Sequence, residues 1–336
     1  MKLSVRALAA VLGLGVGLCA QQGTTATAAN VKTTKVGLPL SHPTQMIDKT
    51  VCDGAGNIYS RLWAGDDSGT SQLPVLEITP EGALTKSFRA AEMSQIGDTT
   101  KGIFVSESGD VYEAARTAAG LYVLQFAKDG SAKASVKLEA EPREVDPWQL
   151  AVFKDGGYLL IGLSGKDHRT PYTAVFDANG KLVKNIYEPE DEEARQKAEG
   201  RDVAYTRSNA GNRFVGLGDV ATGSDGNAYL LRGASPTLVY VISPSGNVVR
   251  KLHIDPGSAE YVAREIKAYA GRLAVGFNGP DNLVLVTDLN GQTIASYTVA
   301  RRKPDWPALA CYDSKGFTLV TTYAEKELYL LKAKLQ

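Results

Sequence analysis

The feature that most constrains this chain is a pattern written six times along it: VCDGAGNIYS (51–60), FVSESGDVYEA (104–114), AVFKDGGYLLI (151–161), ATGSDGNAYLL (221–231), KAYAGRLAVGF (267–277) and CYDSKGFTLVT (311–321). In each, a short apolar strand runs into a polar turn with Gly and an alternating strand leaves it, which is the grammar of a β-hairpin. The first five are each followed by a second pair, such as TAVFDANGKLVKNI (173–186) and LVLVTDLNGQTIASY (283–297). Each unit is therefore a four-stranded antiparallel meander, with an apolar inner strand and a fourth strand carrying Lys, Arg and Ser on alternate positions. A unit of this kind cannot bury its faces alone and must stack on its neighbours.

The expected fold is all-β: a six-bladed β-propeller of four-stranded antiparallel blades, closed by the N-terminal strand. The turn glycines Gly56, Gly109, Gly156, Gly226, Gly271 and Gly316 are 53, 47, 70, 45 and 45 residues apart, and four of these five intervals suit a propeller blade. The longest interval holds an insert at 188–214, read as arising in the connection between the second and third strands of its blade. Blades are expected to start near residues 45, 98, 146, 216, 262 and 305. The sixth unit stops one strand short, and residues 31–38 can supply that strand and leave the ring without an open edge.

The first thirty residues differ from the rest. Lys2 and Arg6 precede an apolar run from Ala7 to Leu18 and a small, polar stretch, the order of a secretory signal peptide. Residues 1–28 are read as that signal, with cleavage after Ala28 and Ala20 as the alternative site, and 29–336 as the propeller. Cys19 raises a lipoprotein reading, which the bulky Leu18 before it disfavours. The expected location is the periplasm or outside the cell. No other stretch approaches the eighteen consecutive apolar residues of a membrane span. Lys plus Arg and Asp plus Glu both total 37, so the zero net charge offers no footprint for nucleic acid or an acidic membrane surface. A monomer is expected.

The blade pattern, as in DGAGNIY (53–59), SGDVY (108–112) and SDGNAY (224–229), resembles the NHL-repeat and SMP-30-like (TolB-like) group of six-bladed propellers. That resemblance implies the fold and not one activity, because such propellers host enzymes, sensors and binding modules. It also supplies two enzyme templates. One is a lactonase whose carboxylate and amide cage holds a divalent ion, but MIDKTV (46–51) stands where such lactonases usually open with Glu-Gly-Pro. The other is a lyase with a largely His zinc site, and only His42, His168 and His253 exist here, at spacings unlike a zinc motif.

One regularity points to a site. Asp98, Asp146 and Asp305 each stand eleven residues before a turn glycine, taking Gly157 for the third blade, and Glu260 holds that place in the fifth. Blade one has Gln45 there. The third and sixth entries set Trp148 and Trp306 close to the Asp, and Lys49, Lys101 and Arg264 lie a few residues further along comparable entries. These positions fall in loops that open on one face around the channel mouth. An acidic and aromatic rim there suits a cation, a sugar or a peptide. The opposing reading is that the acids cap turns and the Trp rings pack between blades. The expected role is a binding or scaffold module for a protein, peptide or carbohydrate, with no catalytic residue and no cofactor. The alternative is a hydrolase or lactonase that holds a divalent cation such as calcium on Asp98, Asp146, Glu260 and Asp305.

Cys52 and Cys311 are the only Cys beyond the signal segment. Blades pack roughly 10 Å apart whereas a disulfide needs α-carbons within about 7 Å, although inner strands converge toward the axis. Both a seam-locking disulfide and two small buried residues stay open.

Overall fold

In the computed structural model the described residues are 28–40, 47–62, 73–90, 99–141, 143–164, 170–186, 218–232, 236–301, 305–323 and 328–335. They form six antiparallel blades and, among themselves, no helix. The innermost strands are β3 (Ile47–Cys52), β7 (Thr99–Val105), β11 (Val145–Val152), β15 (Val220–Thr222), β19 (Val262–Tyr269) and β23 (Trp306–Asp313). Each touches the next, and β23 touches β3, so the six surround a central channel. Each starts within four residues of the start expected from the sequence.

The ring closes as the repeat count requires. β2 (Thr33–Gly37) pairs antiparallel with β25 (Tyr329–Lys334), from Thr33 opposite Ala333 to Gly37 opposite Tyr329, and becomes the fourth strand of blade six. The chain just before it adds something the repeats do not signal. β1 (Ala29–Asn30) lies parallel to β22 (Thr293–Val299) as a fifth strand on blade five. The N-terminal segment thus straps two blades before closing the second of them.

The core lies between blades, as expected for sheets that bury both faces. One apolar cluster joins blade one to blade two around Tyr59, Phe88 and Phe126. Three more join blades two to three, three to four and four to five. A fifth runs from blade five through blade six into blade one, so the closing seam shares one continuous core with its neighbour. Between blades one and two the fully buried Arg61 pairs with the fully buried Glu113 at 2.5 Å. Breaking such a pair leaves a charge in the interior, which is costly.

Local geometry explains which turns recur. In blades one to four the inner hairpin closes with Gly at a positive φ near 85°, at Gly56, Gly109, Gly156 and Gly226. The third-blade turn glycine is therefore Gly156 and not Gly157, so Asp146 stands ten residues before it and the eleven-residue rule fails there. Blade five uses a two-residue turn, with Ala270 at φ 47° and Gly271 at φ 75°, the arrangement of a type I′ hairpin. Gly180, in the outer turn of blade three, shows a second requirement. A Cβ there would lie 2.0 Å from the Lys137 carbonyl of blade two, so only glycine lets that turn dock on the preceding blade.

The insert also sits elsewhere than expected. Blade three completes all four strands, ending in β14 (Leu182–Asn185), before residues 187–217, and blade four begins at Val220. The insert is thus a connection between blades three and four, not between the second and third strands of one blade; it lies outside the described residues. Both connection types leave on the same face, so the loop face is unchanged. Length alone could not decide which connection had grown.

Candidate functional site at the channel mouth

The inner strands are regular near their hairpin turns and irregular near the loop face. Register shifts fall between Ile47 and Thr50, Thr100 and Ile103, Pro147 and Gln149, Ala263 and Glu265, and Leu309 and Cys311. The extra residues of four of these bulges include Lys49, Lys101, Trp148 and Arg264, all noted in the sequence. A bulge inserts one residue into a strand and re-aims the side chains beside it. Here it turns cations and an indole toward the mouth while the flanking apolar residues stay in the blade interfaces.

Two groups of the expected residues come together, on opposite sides of the ring. On blades one to three, Lys101 pairs with Asp146 at 3.5 Å and lies 5.4 Å from the centre of the Trp148 ring. Lys49 donates to the Trp148 carbonyl, tying blade one to blade three. The Asp146 Oδ1 is buried and accepts no hydrogen bond among the described residues. On blades five and six, Glu260, Arg264 and Trp306 line an open cleft of about 410 Å³ with Arg301, whose guanidinium lies 4.9 Å from the Trp306 ring. Trp148 is 38% and Trp306 49% exposed, so these rings are not packing between blades.

Two expectations fail. Asp305 does not face the mouth as a free acid: its Oδ2 accepts a 2.6 Å hydrogen bond from the Tyr329 hydroxyl of its own blade. The four acids of the metal reading do not converge either. Asp98 lies outside the described residues, Asp146 is held by Lys101, and among the described residues no three His, Cys, Asp or Glu side chains stand together to hold an ion. His253 is exposed on the fourth strand of blade four, and His42 and His168 lie outside the described residues.

Sequence reasoning missed a polar cluster that lies deeper in the channel and joins blades four, five and one. Lys267, on the inner strand of blade five, donates to Asp219 Oδ2 at 2.9 Å and to the Thr50 carbonyl of blade one at 3.2 Å. The same Asp219 oxygen accepts from the Ile266 amide at 2.9 Å. Glu265 accepts a 3.4 Å bond from the Leu309 amide of blade six, and the bulge at Arg264 places it beside this cluster. Glu265 keeps some exposed surface, yet it is set so deep that desolvation pushes its carboxyl up to about 8; Asp219 adds to the shift and Lys267 opposes it. A signal was present: in the six aligned strings Lys267 occupies a column otherwise filled by Val51, Phe104, Ala151, Ala221 and Cys311. A lone charge in an apolar column marks a paired, buried group.

The chemistry of this cluster bears on a divalent ion. Asp219, Glu265 and the Thr50 carbonyl are hard oxygen donors of the kind calcium takes. The Lys267 ammonium already stands among them, bonded to the Thr50 carbonyl and to Asp219, whose negative charge it balances. A divalent cation beside that ammonium would meet like charge, so these residues do not fit one.

The two Cys are joined. Cys52 and Cys311 form a disulfide with α-carbons 5.4 Å apart and 259 residues between them. The convergence of inner strands at the axis brings blades one and six close enough.

No protein-family profile matches the sequence, and no curated protein matches it. Solved structures with similar folds do exist. A putative gluconolactonase superposes with TM-score 0.53 at 13% identity, over 92% of this chain and 97% of its own. A gluconolactonase from Xanthomonas campestris gives 0.51 at 13%, over 89% and 97%. The calcium-binding protein regucalcin from Agrobacterium tumefaciens gives 0.52 at 12%, over 91% and 96%. The chain has a six-bladed propeller fold like that of these gluconolactonases and regucalcin, and the likeness is one of fold.

Proposed function

We propose that this chain is an exported binding module that takes a carbohydrate at the loop-face mouth of its channel. The observation that carries the reading is the pair of exposed indoles, Trp148 and Trp306, each braced by a cation and set beside charged hydrogen-bonding groups. An aromatic face presents an apolar surface to the ring carbons of a sugar, while Lys101, Arg264, Glu260 and Arg301 offer donors and acceptors to its hydroxyls. The fold shared with gluconolactonases adds support for a sugar-sized ligand. Export is supported by the signal-like N-terminus and by the Cys52–Cys311 bond, since such bonds persist in oxidising compartments.

Tryptophan fluorescence titrated with cell-envelope oligosaccharides tests the reading. Saturable quenching that disappears in Trp148→Ala or Trp306→Ala supports it. Binding that survives both substitutions overturns it.

A second reading, a sugar-lactone hydrolase, is favoured by one feature. Glu265, held protonated to about pH 8 beside Asp219 and Lys267, is a carboxylic acid placed where it could donate a proton within the channel. Hydrolysis of gluconolactone by the purified chain, lost in Glu265→Gln, would favour this reading over a binding module.

A further inference from the structure

The channel has a second end, at the inner hairpin turns, opposite the loop face. There the inner strands enclose a cavity of about 460 Å³ lined by residues of all six blades. That volume is within the range of small-molecule sites. Its deeper walls are Val51, Val105, Val152, Val220, Ala221 and Ala268, together with aromatic rings, while the turn residues Asp53, Glu107 and Lys154 line it at the turn end, where acid and base are both present. Phe104 and Tyr112 meet edge-on with centroids 5.9 Å apart, and Tyr269 and Tyr312 do so at 6.4 Å. Phe153 completes the aromatic lining. Away from the turns, Ile266 and Lys267 of blade five line it, and Lys267 is the charged group there.

The charge balance at Lys267 selects the ligand. The Lys267 ammonium has three N–H donors and, among the described residues, spends two of them, on Asp219 and the Thr50 carbonyl. One donor is left for an oxygen entering the cavity. The positive charge is already matched by Asp219, so a ligand anion would gain little attraction and would be desolvated among Val, Phe and Tyr side chains. A neutral oxygen acceptor has no such cost. The paired aromatic rings favour a flat apolar body between them.

We propose that the hairpin-turn end of the channel is a binding site for an uncharged, flat apolar molecule carrying one carbonyl or hydroxyl oxygen, with Lys267 as the hydrogen-bond donor to that oxygen. The site is separate from the loop-face mouth and does not depend on what binds there. Its turn end is stiffened by the disulfide, because Cys52, next to the first-blade turn, is itself part of the lining.

The test uses prodan, a neutral naphthalene ketone whose emission shifts to the blue in apolar surroundings. The whole chain should bind one prodan with a saturable blue shift. Dimethylaminonaphthalene, which lacks the ketone, should bind about fivefold more weakly, in line with one lost hydrogen bond. The anionic anilinonaphthalene sulfonate should bind at least tenfold more weakly than prodan. Ala268→Trp fills the cavity and should abolish the shift. Ala268→Leu, a milder filling that keeps the fold if the larger one does not, should weaken binding several-fold. Absence of a saturable shift in the unmodified chain, or unchanged binding in both variants, overturns the site. Equal or tighter binding of the sulfonate overturns the assignment of an uncharged ligand, and equal binding of the compound without the ketone overturns the role of Lys267.

Discussion

The two ends of the channel are built from the same six strands and have opposite chemistry. At the hairpin end the strands are in register, their turns are short, and the lining behind the turns is valines, alanines and aromatic rings, with Asp53, Glu107 and Lys154 on the turns themselves. Toward the loop face five of the six inner strands bulge, and there Lys49, Lys101, Asp146 and Trp148 gather on blades one to three. Regular pairing keeps the repeat's alternation and so keeps its apolar wall. One extra residue per strand breaks the alternation and lets charged groups reach the mouth without being driven into the core between blades. Lys267 sits at the boundary and belongs to both ends: its ammonium closes the polar cluster and also ends the apolar cavity.

The sharpest way to break this contrast is to remove that boundary. Lys267→Met leaves Asp219, only 12% exposed, without its cation and should cost about 3 kcal/mol, measured by denaturant unfolding at neutral pH. In that variant calcium should raise the melting temperature, because the oxygens the ammonium occupied become available, whereas the unmodified chain should not respond. A calcium response of the unmodified chain would show that the ammonium does not take the cation's place.

The disulfide makes the hairpin end the rigid one. Replacing both Cys52 and Cys311 with Ser should destabilise the chain by about 2–5 kcal/mol, read as a lower denaturant midpoint. Titration of residues 29–336, denatured and unreduced, should find no free thiol, and two thiols would remove the bond from the comparison.

Glu265 sharpens the polar end through pH. Its folded pKa is raised to about 8, so the protonated form is favoured in the fold. The stability this contributes is full below the unfolded pKa, about 4.3 for Glu, and is lost as pH rises toward 8. Across that window the slope should reach at most about 1.4 kcal/mol per pH unit. Glu265→Gln should flatten it, and an unchanged slope in that variant would assign the dependence to other groups.

The smallest effect on stability belongs to the exposed mouth. Trp148→Ala and Trp306→Ala should each shift stability by about 0.5 kcal/mol or less, as for other surface positions, while abolishing the sugar-dependent fluorescence change. A loss of several kcal/mol would mean the indoles pack as structure after all.

Much of this contrast was legible before any tertiary structure. The hairpin end is local: a strand, a turn that needs Gly at positive φ, and a returning strand lie within about ten residues, so Gly56, Gly109 and Gly226 announce it. The mouth was legible only in part. Lys101, Asp146 and Trp148 were picked out together and do meet, because they flank neighbouring bulges. Asp305 was picked out for its spacing and turned inward, because a tyrosine 24 residues away offered its carboxylate a partner. The spacing rule failed at Asp146 because blade three turns on Gly156, as blades one, two and four turn on theirs, and not on Gly157; blades five and six turn with a different geometry, and counting from a glycine assumes one turn for all.

By itself the sequence determined the number of blades, the strand that closes the ring and the apolar inner wall, since these follow from local alternation and turn chemistry repeated six times. Only the tertiary structure decided that Asp219, Glu265, Lys267 and the Thr50 carbonyl form one cluster and that Cys52 reaches Cys311. Those groups are up to 259 residues apart and come from different blades. Their meeting depends on how closely six strands converge on one axis and where each is bulged, a property of the closed ring that no single repeat carries.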